Sequence, residues 1–265
     1  MNLRKEQATR RAIALAPKPV TSPAAGERNQ KRSRAGKLRN VRKNDSASLK
    51  PLRQMTTKCA SFGHREFVMY YDDPLLTPDA VPWLVNYLES AVQSGERFQP
   101  GETVQIGWMI MQVHEENGAL CLHEPDFRTK QVQWVPTVTQ TLIDLLMQQL
   151  TAQIVGVEAE VDVPNWYQTG IACRRFGEDR SAFDMQRAPG SRENHDSGWF
   201  CGCMFVDCDH ESMENLRLAS LYELAVLNPE IVRYLALPES TDVVVTTDGV
   251  VIGRYGKPLK MIAHK

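Results

Sequence analysis

His195, Cys201, Cys203, Cys208 and His210 form the densest run of reactive side chains in the chain. Cys201-x-Cys203 followed by Cys208-x-His210 has the ligand types of a zinc site. The spacing of the first pair argues against one. Residues 201 and 203 lie in an apolar run, where period-2 alternation puts both on one sheet face. Structural zinc knuckles use a C-x₂₋₄-C loop with a turn between the ligands. The expectation is therefore buried free thiols, with no metal and no cofactor. A Cys-His hydrolase needs a thiolate activated by a nearby base. Six Cys and six His make chance pairings easy, and no local signature supports one.

Other chemistries fare no better. The G-x-S-x-G elbow of a serine hydrolase is absent, as are a phosphate-binding Walker loop and a dinucleotide fingerprint. Trp108 and Trp199 could stack on a ligand, but large aromatics in β-like runs read first as core. Asp207, Asp209, Glu211 and Glu214 offer oxygen ligands for Ca²⁺, yet an EF-hand loop needs a glycine and a spacing that D-C-D-H-E lacks. These acids read as a solvated loop or as a docking surface for a cationic protein. Between Asp196 and Asp248 there are 10 acids and two bases, Arg217 and Arg233. The expectation is a binding protein and not an enzyme.

Charge divides the chain at Met55. Residues 1–54 hold 15 Lys and Arg against 3 Asp and Glu, and the remaining 211 hold 16 against 29. A tail of +12 thus precedes a body of −13, and the net charge of −1 conceals both. The tail has no aromatic residue, no Cys and no apolar period, so it cannot offset its chain entropy and is expected to be disordered. Three readings of it compete: an arm that binds nucleic acid through its Lys and Arg residues, a targeting segment, or an extension upstream of a natural start at Met55. An acidic body favours a basic partner, whose approach long-range attraction accelerates. Nucleic acid enters as a partner only if the tail is native. The longest apolar stretch, Val135–Val157, is broken by Gln140, Asp144, Gln148 and Gln149, so no membrane span is expected and the body reads as cytoplasmic. Six Cys in a body this long do not suggest a disulfide scaffold.

The elements that must position these residues follow from periodicity. Glu66–Tyr71 reads as a strand, Ala80–Ser94 as an amphipathic helix and Thr103–His114 as one long strand. Asn117-Gly118 joins the last to Ala119–His123 as a hairpin. Val135–Val155 reads as a helix with Val138, Leu142, Leu145, Leu146, Leu150 and Ile154 inward. Gly156–Pro164 reads as a linker, Tyr167–Arg174 as a strand, Gly177–His195 as a long surface loop and Asp196–Val206 as a turn leading into a strand. Leu216–Leu227 and Pro229–Leu237 read as short helices. Asp242–Thr247 and Val250–Arg254 flank an Asp-Gly hairpin signal. The fold class is α+β: a disordered tail (1–54), an N-terminal module (55–157) and a C-terminal module (165–265), each with a hairpin packed on helices. Either hairpin also offers edge strands on which a homodimer can form.

Asp196-Ser197-Gly198-Trp199, an acidic stretch, Leu221-Tyr222-x-Leu224 and Asn228-Pro229-x-Ile231 together resemble the C-terminal domain of bacterial immunity proteins. That domain, long catalogued as of unknown function, is found beside polymorphic toxins and secretion-system effectors. The upstream residues GHREFVMYYDDP, WLVNYLE, GERFQPGETVQIGWM and LHEPDF are similar to the N-terminal half of longer members, which tend to begin near the position of Met55. The resemblance covers roughly residues 58–256. Cys201 and Cys203 stand where aromatic or polar residues are common in the family, which weakens any idea of a shared metal site. The resemblance implies a protein that neutralises a cognate toxin, such as a type VI effector, by non-catalytic occlusion. With an acidic body, the most plausible target is a nuclease with a basic cleft. The candidate toxin-binding residues are Asp207, Asp209, Glu211, Glu214, Asp196 and Trp199. Asp196, Ser197 and Gly198 also read as a tight turn whose side chains satisfy backbone N–H groups. The alternative is a nucleic-acid-associated regulator that uses the basic tail.

Overall fold

The computed structural model describes residues 10–12, 51–72, 76–191 and 193–263. Two mixed sheets and the helices against them give the expected α+β class. The first sheet contains β1 (Arg10–Ala12), β2 (Leu52–Met55), β3 (Phe67–Tyr71), β4 (Thr103–Ile106), β5 (Met109–Glu116), β6 (Ala119–Pro125) and β7 (Trp134–Val135). Its order is β1-β4-β5-β6-β3-β2, with β7 paired on β6. The second contains β8 (Thr169–Cys173), β9 (Phe183–Arg187), β10 (Asp196–Cys203), β11 (Leu216–Ser220), β12 (Thr241–Thr246), β13 (Gly249–Arg254) and β14 (Lys257–Ala263). Its order is β11-β8-β10-β9-β12-β13-β14. Three α-helices complete the set: α1 (Ala80–Gln93), α2 (Thr139–Val155) and α3 (Leu221–Leu227). No helix among the described residues is long and apolar enough to cross a membrane.

Most of the segment expected to be a disordered tail lies outside the described residues. Within it, β1 runs parallel to β4 and β2 pairs antiparallel with β3, so paired strand already spans the charge break at Met55. The Asn117-Gly118 hairpin forms as expected: both residues have positive φ (51° and 82°), and Glu116 pairs with Ala119. The long strand expected over 103–114 is instead two strands, β4 and β5. Gly107, at φ 60°, opens the two-residue turn between them and tucks the Trp108 indole into the core. Two other expectations change. Phe183–Arg187, read as loop, is strand β9, and Leu216–Ser220, read as helix, is edge strand β11.

One continuous apolar cluster runs through both halves of the chain. Helix α2 joins them. Val138, Leu142 and Leu145 are buried as expected, Ile154 is half-exposed, and Thr141, Asp144, Gln148 and Thr151 are buried as well. Several of these polar groups tie the helix to its surroundings. Trp108 Nε1 donates to Asp144 Oδ2 at 3.0 Å, Gln140 Nε2 donates to Oδ1 at 2.6 Å, and Gln148 Nε2 donates to the Val232 carbonyl at 2.9 Å. Trp166 Nε1 donates to Ile110 O at 3.1 Å, which pins the start of the second half onto β5. The Tyr222 hydroxyl sits 2.9 and 2.8 Å from the carbonyls of Asp126 and Thr129.

Strand β10 begins with a bulge that the Asp-Ser-Gly-Trp run dictates. The register against parallel β8 shifts between Asp196 and Phe200. Asp196 Oδ1 accepts from Gly198 N at 2.9 Å, and the Ser197 hydroxyl donates to Thr169 O at 2.7 Å. Gly198 holds φ 76°, and a Cβ there would sit 2.1 Å from the Ala188 carbonyl oxygen. Only glycine satisfies both constraints. The tight-turn reading of these residues is therefore how they are used.

Two expected outcomes follow from this packing. Gly198→Ala should destabilise the protein by roughly 2–4 kcal/mol, seen as a lower urea midpoint at unchanged slope. Burial pushes the Asp144 carboxyl up to about 7, against the hydrogen bonds from Gln140 and Trp108. Its folded pKa lies above its unfolded one, so the folded state keeps a proton that the unfolded chain has lost. Stability then falls as pH rises from the ordinary carboxylate range towards about 7. Between about pH 5 and about pH 8 the wild type should lose about 2 kcal/mol more than Asp144→Asn, which keeps the acceptor for Trp108.

Candidate functional site

Strand β10 ends at Cys203, short of the expected Val206, and residues 204–215 form an acidic loop, closed by a 3₁₀ turn at Met213–Asn215, before β11. The loop is tied down at several points. Arg175 Nη1 bonds Asp207 Oδ1 at 2.8 Å, and the same guanidinium lies 4.0 Å from the centre of the Phe205 ring. Asp209 Oδ1 accepts from Glu211 N at 2.9 Å, and Asn215 Nδ2 donates to Asp209 O at 2.9 Å. Arg174 Nε donates to Glu214 O at 2.6 Å. The carboxylates of Asp207, Asp209, Glu211 and Glu214 nevertheless remain exposed. The guanidinium of Arg175 holds the Asp207 carboxyl below the usual carboxylate range. Exposed apolar side chains alternate with these acids. Val206 is fully exposed, Met213 is 80% exposed, and Leu218 on the adjoining edge strand β11 is 73% exposed.

Beneath the loop, Cys173, Cys203, Cys208 and His210 converge, with their four Sγ or imidazole nitrogen atoms within 4.8 Å of one another. Parallel pairing of β8 with β10 puts two strand ends side by side, and these ends carry Cys173 and Cys203. The Cys203 amide reaches Cys173 Sγ at 3.3 Å, and Cys203 Sγ lies 3.6 Å from His210 Nε2. The chain then turns, with Cys208 N donating to Phe205 O at 3.1 Å, and brings Cys208 and His210 back over the strand ends. The spacing objection concerned residues 201 and 203. The two cysteines the fold brings together on this loop are 203 and 208, with four residues and a turn between them. Cys201 is buried one alternation further into the core, and His195 sits at the opposite end of β10 with φ 56°. The sequence reading missed Cys173, which no local motif marks because it arrives through strand pairing across 30 residues.

Four of the thiols, Cys59, Cys121, Cys201 and Cys208, are poor nucleophiles in these surroundings. Desolvation pushes Cys59 up to about 11 and Cys121 up to about 12, and burial raises Cys201 as well. Cys208 is pushed up to about 12, by desolvation first and then by its contact with Cys203. Protonated thiols at neutral pH do not attack carbonyl or phosphoryl centres.

The six candidate contact residues fall in two places. The four loop acids are exposed on one loop. Asp196 and Trp199 lie towards the other end of β10. Asp196 spends its carboxylate on Gly198 N. Trp199 is 1% exposed, its Nε1 donates to Leu235 O at 3.1 Å, and the Arg187 guanidinium packs 5.5 Å from its ring centre. That ring faces the core and not solvent. The exposed apolar residues beside the acids were not singled out from sequence, since scattered Val, Met and Leu in a loop carry no pattern.

Comparison with known proteins gives one finding. Residues 147–252 match the family model of the Imm33-like domain. The matched span takes in the second half of α2, the second sheet as far as β13, the acidic loop and all four members of the Cys/His cluster. No curated protein and no solved structure matches the chain. The second half of the chain is thus similar to a domain of an immunity-protein family.

Proposed function

We propose that this protein is an immunity protein that binds a cognate secreted bacterial toxin and blocks it by occlusion, without catalysis. The observation that carries the reading is the Imm33-like match over residues 147–252. The loop supports it in a second way. Four exposed acids, Asp207, Asp209, Glu211 and Glu214, lie on the same loop as exposed Val206 and Met213, with exposed Leu218 on the adjoining strand β11. Exposed apolar side chains near charges of one sign suit an interface with an oppositely charged partner. The toxin surface it fits is basic, and a nuclease cleft, lined to hold phosphates, is the class of target that matches. The acids steer the encounter, while Val206, Met213 and Leu218 supply area that leaves water on docking. The Arg175–Asp207 pair is exposed and adds little to stability, so Asp207 can exchange it for a partner's cation.

The experiment is co-expression with the toxin encoded next to this gene, followed by binding kinetics of the purified pair. The double variant Asp209→Lys/Glu211→Lys should lower the association rate about tenfold or more and weaken its salt dependence. Met213→Ala should act mainly through faster dissociation. Protection that survives both changes unaltered would remove this loop as the contact surface. The basic residues before Leu52 support a second reading, a regulator held on nucleic acid by the tail. Deleting residues 1–50 keeps β2 intact. Under the immunity reading, protection survives that deletion. Strong, salt-dependent DNA binding lost with the tail would favour the regulator.

A further inference from the structure

We propose that Cys173, Cys203, Cys208 and His210 are the ligands of a structural zinc(II) site that fastens the acidic loop to the ends of β8 and β10. The argument is geometric. Zinc bound at about 2.3 Å to sulfur and about 2.0–2.1 Å to nitrogen in a tetrahedron sets ligand–ligand edges of about 3.5–3.8 Å. Cys203 Sγ and His210 Nε2 are 3.6 Å apart, and no pair among the four donor atoms exceeds 4.8 Å. Small side-chain rotations close that difference. Three thiols and one imidazole form a set that selects zinc over the hard cations Mg²⁺ and Ca²⁺, which prefer oxygen. Four protein ligands leave no open position for water or substrate, so the site is structural and not catalytic.

The surroundings fit a metal-bound histidine. Gly202 pairs with Asp184 on β9, and a Cβ at position 202 would meet Asp184 Oδ1 at 2.2 Å and His210 Cε1 at 2.8 Å. The missing side chain is what lets the Asp184 carboxylate and the His210 ring crowd together over the strand. A carboxylate beside the ring of a ligating histidine orients that ring and raises its basicity. Cys203 and Cys208, with four residues between them and a turn, have knuckle spacing, while Cys173 closes the site from a neighbouring strand. A site built this way ties together three chain segments: the end of β8, the end of β10 and the loop that follows it. Binding converts three thiols to thiolates and releases three protons, which gives one zinc, three thiolates and a neutral imidazole. The inference does not rest on the immunity reading, since it concerns what holds the loop and not what the loop meets.

The test is elemental analysis of the full-length protein, purified under reducing conditions without chelator or metal-affinity resin. Roughly one zinc per chain is expected. Cys208→Ser should lower the content at least about fivefold. Cys201→Ala, which changes a buried thiol outside the cluster, should leave the content unchanged. His210→Cys should retain the metal, because a four-thiolate site is equally suitable for zinc. Cobalt(II) exchanged into the wild-type protein should show the intense visible absorption of a tetrahedral thiolate complex, and Cys208→Ser should lose it. A wild-type protein that folds metal-free, takes up no cobalt and yields a Cys173–Cys203 or Cys203–Cys208 disulfide on mild oxidation would overturn the proposal. Equal zinc loss in Cys201→Ala and Cys208→Ser would also count against it, since the metal would then follow general folding and not these ligands.

Discussion

The buried guanidinium of Arg187 is the constraint around which the second sheet is organised. Its side chain is 3% exposed, so its charge has to be satisfied from within the protein. Nη1 donates to Asp162 O at 2.7 Å and to the Leu237 carbonyl, and Nη2 bonds Asp162 Oδ2 at 2.9 Å. Its plane packs over the Trp199 indole, whose own Nε1 is bonded to Leu235 O. A buried charge costs several kcal/mol unless each donor finds an acceptor, so these segments have little freedom to separate. One of these carbonyls, that of Leu237, comes from the segment just after the 3₁₀ turn Pro229–Tyr234, and the other, that of Asp162, from the connector after α2. One cation thus joins the segment after the 3₁₀ turn, the connector after α2 and the face of one tryptophan.

The same residue fixes the register that matters further along the sheet. Arg187 pairs with Trp199 across β9 and β10, which sets Asp184 opposite Gly202 and Phe183 opposite Cys203. A slip of one residue would turn Arg187 outward and bring Gln186 in. It would also take Asp184 away from His210. The bulge at Asp196–Gly198 and the inward arginine therefore act together. The first takes up the irregularity against β8, and the second locks the pairing against β9.

Sequence patterning revealed those elements whose signal is local. The Asn117-Gly118 turn, the periodicity of α1 and the Asn228-Pro229 start are each written in adjacent residues, and each forms. Asn228 Oδ1 accepts from Glu230 N at 3.2 Å, as a cap before Pro should. Strand β9 was hidden because its third inward position is an arginine, which breaks the apolar alternation of Phe183 and Met185. The boundary between β11 and α3 was legible in principle. Ser220 and Glu223 have capping-box spacing, and the Ser220 hydroxyl accepts from Glu223 N at 3.1 Å. Helical periodicity read from Leu216 onward obscured it. The inward face of α2 was legible only in part: Val138, Leu142 and Leu145 are buried as the periodicity implies, but Asp144 and Gln148 are also inward, where they meet Trp108 and a carbonyl of the other half. The Cys/His cluster was half legible: three members are close in sequence, and the fourth depends on a parallel pairing that no periodicity announces.

A binding loop gains affinity when it is held in its bound shape before the partner arrives, because the ordering entropy is then not charged to association. Residues 204–215 meet that condition from both sides. Arg174, Arg175 and Asn215 tie their backbone and one carboxylate from outside, and the Cys/His cluster gathers both ends of the 203–210 segment from beneath. Like charges packed into a short segment repel one another and would spread a free loop. The ties leave the acids exposed while opposing that repulsion. The rigidity of the support and the acidity of the loop therefore belong together: the more closely four carboxylates are presented, the more firmly the backbone beneath them must be anchored.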